Sequence, residues 1–213
     1  MEIAEFEKNL TLSTDYLNST IELNDKIKSY EALGIKTPTI IQETLIDINI
    51  SANLVYVYTD CIAIGKSFNT SNLFLYQLFF IKSIIRTVHE GFRIIKKYET
   101  RFFIEDLEND KVKEVTNLRK VFKKKFNLEI IQENRNKIGS HYPEDFMEHY
   151  NTIKNIDVKL TLEMFFAFLL IITKINDYLI FERFSHAKLN QVFAPYFKDV
   201  EEKLTILGNQ ENS

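Results

Sequence analysis

The stretch from Glu133 to Tyr142 carries the residue types with the most chemistry in this chain. Arg135, Asn136 and His141 place a guanidinium, a carboxamide and an imidazole within seven positions. The arginine keeps its positive charge at every physiological pH, whereas a free imidazole titrates near about pH 6.5 and so both accepts and donates a proton. Such a set of groups suits proton transfer beside a developing negative charge.

A turn must bring the arginine and the histidine together, because one unbroken helix would separate them. Six residues of α-helix give about 9 Å of rise and a rotation of about 240°. Gly139 readily leaves helical dihedral angles, as glycines commonly do just past a helix end. Pro143 then prevents the helix from continuing. The sequence therefore predicts Arg135 on the last helical turn and His141 on the turn that follows.

A basic run precedes this stretch along the chain. Lys123-Lys124-Lys125 follows Arg119 and Lys120 by about one helical turn. A solvated helix face is the commoner explanation for such a run, but its position just before the arginine–histidine stretch favours contacts with phosphate groups. The residues predicted to bind a substrate backbone are Arg119, Lys120, Lys123, Lys124, Lys137 and Tyr142.

Two further patterns resemble known sites without meeting their requirements. Gly65-Lys66-Ser67 matches the end of a phosphate-binding loop, but that motif needs a glycine where Asp60 stands, and a preceding strand. A helix end is the better interpretation. The acids and histidines of residues 141–149 lack the spacing of metal ligands on a continuous helix, because Pro143 interrupts it. No metal and no other cofactor is predicted.

The composition is that of a chain with a substantial apolar core. Of the 213 residues 45% are apolar, including 18 Phe and 10 Tyr, and only five Gly and three Pro interrupt the sequence. Many large apolar side chains with few breakers favour helices over a sheet with tight turns. The net charge of −3 excludes a globally basic surface, so that any surface for nucleic acid must be local.

Cysteine usage and hydropathy favour a cytoplasmic protein. The single Cys61 cannot form an internal disulfide, as expected of a reducing compartment. The charged N-terminus contains no apolar signal core. The most apolar runs, Leu73–Ile85 and Met164–Ile172, are well short of the ~20 residues needed to cross a bilayer. We therefore expect no contact with a membrane.

Capping residues and hydrophobic periodicity predict an all-α bundle of five to seven helices, in one domain spanning residues 1–213. The first helix is expected over 14–32, started by Ser13 or Thr14 and ended by Gly34. The second is expected from Thr37 as N-cap, with Pro38 at its first position, to near Gly65. Further helices are expected over about 73–98, over 112–126, from Asn127 as N-cap to the arginine–histidine stretch, over 160–181, and over 186–207 with an interruption at Pro195.

Apolar periodicity also predicts which helix faces point inward. In the second helix the inward face is Ile41, Leu45, Ile48, Ala52, Val55, Thr59 and Ile62. In the third it is Leu73, Phe80, Ile84, Thr87, Gly91, Ile94 and Tyr98, with Lys82, Arg86, His89, Glu90, Arg93, Lys96 and Lys97 on the other side. In the fourth it is Val112, Val115, Leu118, Phe122 and Phe126, with Arg119 and the lysines elsewhere.

The segment Arg135-Asn136-Lys137-Ile138-Gly139-Ser140-His141-Tyr142 resembles the signature of the HEPN superfamily. That signature is an arginine, usually followed by a polar residue such as asparagine, and then by a histidine after four to six intervening residues. Here five residues intervene and Asn136 occupies the polar position. The specific likeness covers residues 135–142. In architecture it covers about 38–184, with an N-terminal helix and a C-terminal helical tail outside it.

The resemblance implies a metal-independent endoribonuclease of a toxin–antitoxin, abortive-infection or other antiviral system. Members typically act as homodimers that bring two arginine–histidine pairs into one cleft, so that RNA, a second copy and an antitoxin or defence-system protein are the implied partners. By the same resemblance His141 transfers protons, Arg135 stabilises charge on the scissile phosphate and Asn136 orients the substrate or the histidine. Glu90, flanked by Arg86 and Arg93, is assigned the role of the acidic residue that some members use, although an intrahelical ion-pair ladder also explains it.

The alternative is a non-catalytic helical module that binds RNA or a protein partner. Many members of the superfamily lack activity, and likeness of fold alone does not separate the two classes.

Overall fold

The computed structural model describes residues 3–68, 74–97, 99–104, 106–139, 151 and 155–211. Seven α-helices have their bounds in these ranges, and no strand occurs there, which confirms the predicted all-α bundle. Two π-helical segments, Thr100–Ile104 and Leu179–Arg183, lie after the third and the sixth α-helix. The α-helices are α1 (Ile3–Ala32), α2 (Thr39–Phe68), α3 (Phe74–Lys97), α4 (Asp110–Lys125), α5 (Leu128–Gly139), α6 (Val158–Tyr178) and α7 (His186–Glu211).

Helix α1 ends where the sequence predicts and begins earlier. Gly34 adopts the left-handed conformation at φ 79°, and the amide of Ile35 donates to the carbonyl of Tyr30 at 3.1 Å, as in glycine-terminated helices. The predicted start at Ser13 or Thr14 is wrong. The Thr14 hydroxyl donates to the Leu10 carbonyl at 2.9 Å, so it bonds back into a helix that already surrounds it and caps nothing.

The ends of helix α2 also differ from the prediction. Thr37 does not cap the helix, because its hydroxyl donates to the Glu31 carboxylate at 2.8 Å. The Pro38 carbonyl accepts the first helical bonds, from the amides of Ile41 and Gln42. The helix then passes through Gly65 and continues to Phe68. A glycine inside a helix costs only about 1 kcal/mol, which is too little to end one that is otherwise well packed.

The inward face of α2 follows the predicted seven-residue spacing. Ile41, Ile48, Val55 and Ile62 are all buried, and the intervening Leu45, Ala52 and Thr59 are half-buried. The buried face of α3 is rotated from the prediction, since two of its expected members, Thr87 and Ile94, are only half-buried, while Leu73 and Tyr98 lie outside the described residues. Among the described side chains of α3, the buried apolar residues are Phe80, Ile81, Ile84, Ile85, Val88, Phe92 and Ile95.

Helices α4 and α6 run antiparallel and pack against each other. Ion pairs join their exposed edges: Lys125 Nζ lies 3.1 Å from Glu163, and Lys174 Nζ lies 3.1 Å from Glu114. Between them Phe122 of α4 packs on Phe92 of α3, with ring centroids 4.6 Å apart. The predicted inward residues Val112, Val115, Phe122 and Phe126 are buried, and Leu118 is half-buried.

Helix α7 packs against α1 and is not interrupted at Pro195, contrary to the prediction. Tyr30 of α1 makes edge contacts with Tyr196 and Phe197 of α7, at centroid distances of 6.4 and 6.1 Å. Pro195 itself is exposed. The helical bond that a proline removes is therefore lost on the solvent side, where water can satisfy the freed carbonyl.

The buried apolar residues of all seven helices form one contiguous cluster. In the part of the chain that the structure describes, no helix combines the length and the apolarity needed to cross a membrane.

The close packing around Gly91 predicts that one added methyl group there has a large effect on stability. A Cβ atom at Gly91 would overlap the Phe168 ring of α6 and lie 3.1 Å from Val57 Cγ1 of α2. Gly91→Ala should therefore lower the free energy of unfolding by about 1–3 kcal/mol, measured by urea denaturation followed by circular dichroism.

Gly65→Ala is the matched control, because the nearest atom to its added Cβ is 3.9 Å away. That variant should be neutral or more stable by up to about 1 kcal/mol. Equal effects of the two substitutions would contradict a tight crossing at Gly91.

Candidate functional site

Helix α5 carries the arginine and the asparagine of the candidate site. The Asn127 side chain caps its start by accepting from the amide of Glu129 at 2.9 Å, as predicted. Ile131 is buried, and the helix packs against α3. Its last residue is Gly139, so Arg135 and Asn136 lie in its C-terminal half. The Asn136 side chain is exposed.

Several predicted site residues lie outside the described residues. These are His141 and Tyr142, together with the side chains of Arg135 and Lys137. The approach of the guanidinium to the imidazole accordingly stays a prediction from the sequence. The alternative metal cluster of residues 141–149 falls in the same range. Among the side chains that are described, no group of three or more His, Cys, Asp or Glu residues is arranged to hold a metal ion.

Arg119 is inside the protein, contrary to the expectation that it lies on an exposed basic face. Only 4% of it is accessible, and its Nη1 lies 2.9 Å from the Glu99 carboxylate. Its guanidinium carbon lies 5.9 Å from the centroid of the Phe103 ring. A buried charge is costly unless it is paired, so Arg119 acts as the partner of Glu99 and is not presented to a phosphate at the surface.

Glu99 lies at the centre of a cluster of positive charges. The hydrogen bond from Arg119 lowers the pKa of Glu99 against the opposing effect of burial, and the charges of Arg119, Lys123 and Lys96 lower it further. Lys96 is in the last turn of α3 and Lys123 is in the last turn of α4. The cluster thus spans two helices, which the linear sequence does not show.

Three lysines of α4 form the exposed basic face that the sequence predicts. Lys120, Lys123 and Lys124 are spaced by three and four residues, so they lie on one side of the helix, and all three are exposed. Their neighbour Lys125 differs, because it forms an ion pair with Glu163 of α6. Within the described part of the chain no ion pair is formed by the three exposed lysines.

Glu90 is half-buried on α3 and is already paired. One oxygen accepts from Arg93 Nε at 2.7 Å, and the other lies 3.5 Å from His89 Nδ1. The pairing of Glu90 with Arg93 agrees with the intrahelical ion pairs that the sequence allowed as the other explanation of Glu90. Glu90 also lines an open groove of about 590 Å³ between α2 and α3.

Asp60 of α2 and Arg86 of α3 also line this groove. Burial raises the pKa of Asp60, and the charge of Arg86 opposes that rise. Every described side chain that lines this groove belongs to α2 or α3. Glu90 therefore faces a surface to which α5 contributes none of its described side chains.

The sequence missed Glu99 and the role of Lys96. Glu99 follows Lys96-Lys97, so the sequence alone suggests only that it is a neighbour of two lysines on one helix. Its actual partner, Arg119, is 20 positions away and belongs to α4. One signal in the sequence could have indicated the buried pair. Arg119 is a basic residue at a position next to the apolar face of α4.

Comparisons with protein-family models, with curated proteins and with solved structures find no match to this chain. Its function must therefore be inferred from its own residues.

The Arg119–Glu99 pair predicts a stability difference that depends on pH. Glu99→Gln removes the charge that neutralises buried Arg119, and should lower the free energy of unfolding by about 1–2 kcal/mol at pH 7. The folded-state pKa of Glu99 is below its ordinary value of 4.5. The charge of Glu99 therefore contributes fully to the free energy of unfolding above about pH 4.5. This contribution is lost as the pH falls through the lower, folded-state pKa.

Urea denaturation from pH 7 to about pH 3 should consequently show the wild-type protein and Glu99→Gln converging in acid. Glu163→Gln is the control, since it breaks the exposed pair with Lys125 and should cost less than about 1 kcal/mol. A deficit of Glu99→Gln that is independent of pH would show that the charge of Glu99 does not stabilise the fold.

Proposed function

We propose that this protein is a metal-independent endoribonuclease whose active site is the arginine–histidine pair of residues 135–141. The order Arg135, Asn136 and then His141 in the sequence is the observation that carries the proposal. It is supported by Gly139 between the arginine and the histidine and by Pro143 just after them, since a glycine readily leaves helical dihedral angles and a proline prevents a helix from continuing.

The reaction needs little from the protein, because RNA carries its own nucleophile. One imidazole removes the proton of a ribose 2′-hydroxyl, and the 2′-oxygen attacks the adjacent phosphorus. The bond from phosphorus to the 5′-oxygen breaks, and that oxygen takes a proton from an imidazolium. The products are a 2′,3′-cyclic phosphate and a 5′-hydroxyl. General acid–base help of this kind contributes about 10²–10⁴-fold.

Each remaining group has one role in the proposed mechanism. Arg135 stabilises the negative charge that grows on the phosphate oxygens, where a fixed cation is worth most. Asn136, exposed on α5, orients the substrate or the imidazole. The exposed lysines of α4 bind the flanking phosphates. Glu90 receives no proton-transfer role, because Arg93 already occupies one of its oxygens.

We extend the proposal to a role as a toxin or an abortive-infection factor in antiviral defence. In this role the chain acts in the cytoplasm as a homodimer, with an antitoxin or another defence protein as partner. The support is the resemblance of residues 135–142 to the HEPN signature. Growth arrest on expression of the wild-type chain, absent for His141→Ala, is the matching observation in cells.

Removal of the imidazole should abolish cleavage. His141→Ala and Arg135→Ala should each lower the rate of cleavage of a labelled single-stranded RNA by at least about 100-fold, with an unchanged helical circular dichroism spectrum. The cut ends of the wild-type reaction should carry the 2′,3′-cyclic phosphate.

His186→Ala is the matched control, because His186 is exposed at the start of α7 and contacts only Asn190 among described polar partners. It should cleave like the wild type. If no RNA is cleaved at any protein concentration but Arg135→Ala still weakens RNA binding, the chain is the non-catalytic binding module instead.

Chelation should leave the activity unchanged. The proposed chemistry uses only an imidazole, a guanidinium and the 2′-hydroxyl, so the cleavage rate should be the same after dialysis against EDTA as before it. A rate that falls on chelation and returns with Mg²⁺ or Mn²⁺ would contradict the mechanism.

A further inference from the structure

The surface above Glu99 combines basic residues from two helices. Lys96 is exposed at the end of α3, and Lys123 is exposed at the end of α4. The carboxylate of Glu99 is fixed by its 2.9 Å ion pair with buried Arg119, which joins the connection after α3 to α4. Lys96 is three positions before Glu99 and Lys123 is four positions after Arg119, so the Glu99–Arg119 pair brings together the turns that carry the two lysines.

The exposed basic face of α4 continues this surface. Lys120 and Lys124 neighbour Lys123 on the same side of the helix, three residues before it and one after it. The acid that links the two helix ends is Glu99, and its charge is already matched by Arg119. Four lysines from two helices therefore leave a local excess of positive charge on a chain whose net charge is −3.

We propose that Lys96 joins Lys120, Lys123 and Lys124 in one surface that binds the phosphate backbone of a single-stranded nucleic acid, with the buried Arg119–Glu99 pair holding the two helix ends in register. Lysine ammonium groups are mobile point charges that contact phosphates without reading bases. The surface therefore contributes affinity and not sequence preference. As the substrate-binding part of the ribonuclease, it rests on the proposed function.

The position of the surface suits that role. The basic run ends at Lys125, and α5 begins at Leu128 with only an Asn127-capped break between them. Arg135 lies seven residues into α5, about 10 Å along its axis. The lysines and the proposed catalytic pair therefore belong to consecutive segments of the chain.

Binding is best measured on a strand that cannot be cut. A labelled oligothymidylate of about 12 nucleotides has the phosphates but no 2′-hydroxyl, so the wild-type chain can bind it without cleaving it by the proposed chemistry. Fluorescence anisotropy from about 50 to about 200 mM KCl gives both the affinity and its salt dependence.

Lys96→Ala and Lys123→Ala should each weaken binding about five-fold at ~100 mM salt and reduce the slope of log K against log[salt] by ~0.7, the value for one lost phosphate contact on a single strand. Lys96→Arg should retain the affinity and the slope. Lys28→Ala, which removes an exposed lysine of α1 beside the α1–α2 groove, should change neither.

Two outcomes would overturn the proposal. One is a Lys96→Ala variant with the wild-type affinity and slope. The other is a lower melting temperature for Lys96→Ala with unchanged binding, because the lysine would then serve only the C-terminal end of α3.

The same measurements distinguish failure of the proposed ribonuclease activity from failure of the proposed binding surface. A wild-type chain that binds oligothymidylate through Lys96 but cleaves no RNA would leave the binding surface standing and remove the enzyme. A chain that cleaves RNA while Lys96→Ala binds as the wild type does would leave the enzyme and remove the surface.

Discussion

The close approach of α2, α3 and α6 at Gly91 is the constraint on which the rest of the structure depends. The Phe168 ring occupies the space that a side chain at residue 91 would need. Phe92, the next residue, packs on both Phe168 and Phe122, so it links α3 to α6 and to α4. Protein interiors are packed as densely as organic crystals, and a crossing this tight leaves little freedom for the helices around it.

A second constraint is the buried charge of Arg119. Its side chain is almost entirely removed from solvent, and its Nε has no hydrogen-bond partner among the described residues. The Glu99 carboxylate provides the compensating charge and in doing so ties the segment after α3 to α4. Pairs of this kind contribute less net stability than their Coulomb energy suggests, since desolvation offsets much of it. Buried ion pairs form only in a narrow range of geometries, however, and the Arg119–Glu99 pair holds together the ends of α3 and α4, which both carry lysines.

The proposed chemistry and the fold meet on α5. A ribonuclease that uses the 2′-hydroxyl of its substrate needs positioning, a proton carrier and a fixed cation, and no metal site or deep pocket. In this proposal the end of α5, which packs on the bundle, provides the positioning. The α2–α3 groove, which Asp60, Arg86 and Glu90 line, is a separate feature of the bundle, because its described lining side chains belong to other helices.

Much of what the sequence determined by itself depends on interactions between residues that are close together in the chain. The absence of frequent breakers predicted the all-α class, the seven-residue spacing of Ile41, Ile48, Val55 and Ile62 predicted a buried face, and Gly34 and Asn127 predicted two helix ends. These depend on nearest neighbours and on helical periodicity. The sequence also determined the order of Arg135, Asn136 and His141.

Only the tertiary structure decided that Arg119 points inward and pairs with Glu99, because this depends on which helices pack together. The same holds for the α3 face, which is rotated toward Phe122 and Phe168, whereas Thr37 donates to Glu31, only six positions away, instead of capping α2. Contacts across helices compete with local preferences, and where burial of a ring or of a charge is at stake they outweigh a cap that contributes about 1 kcal/mol.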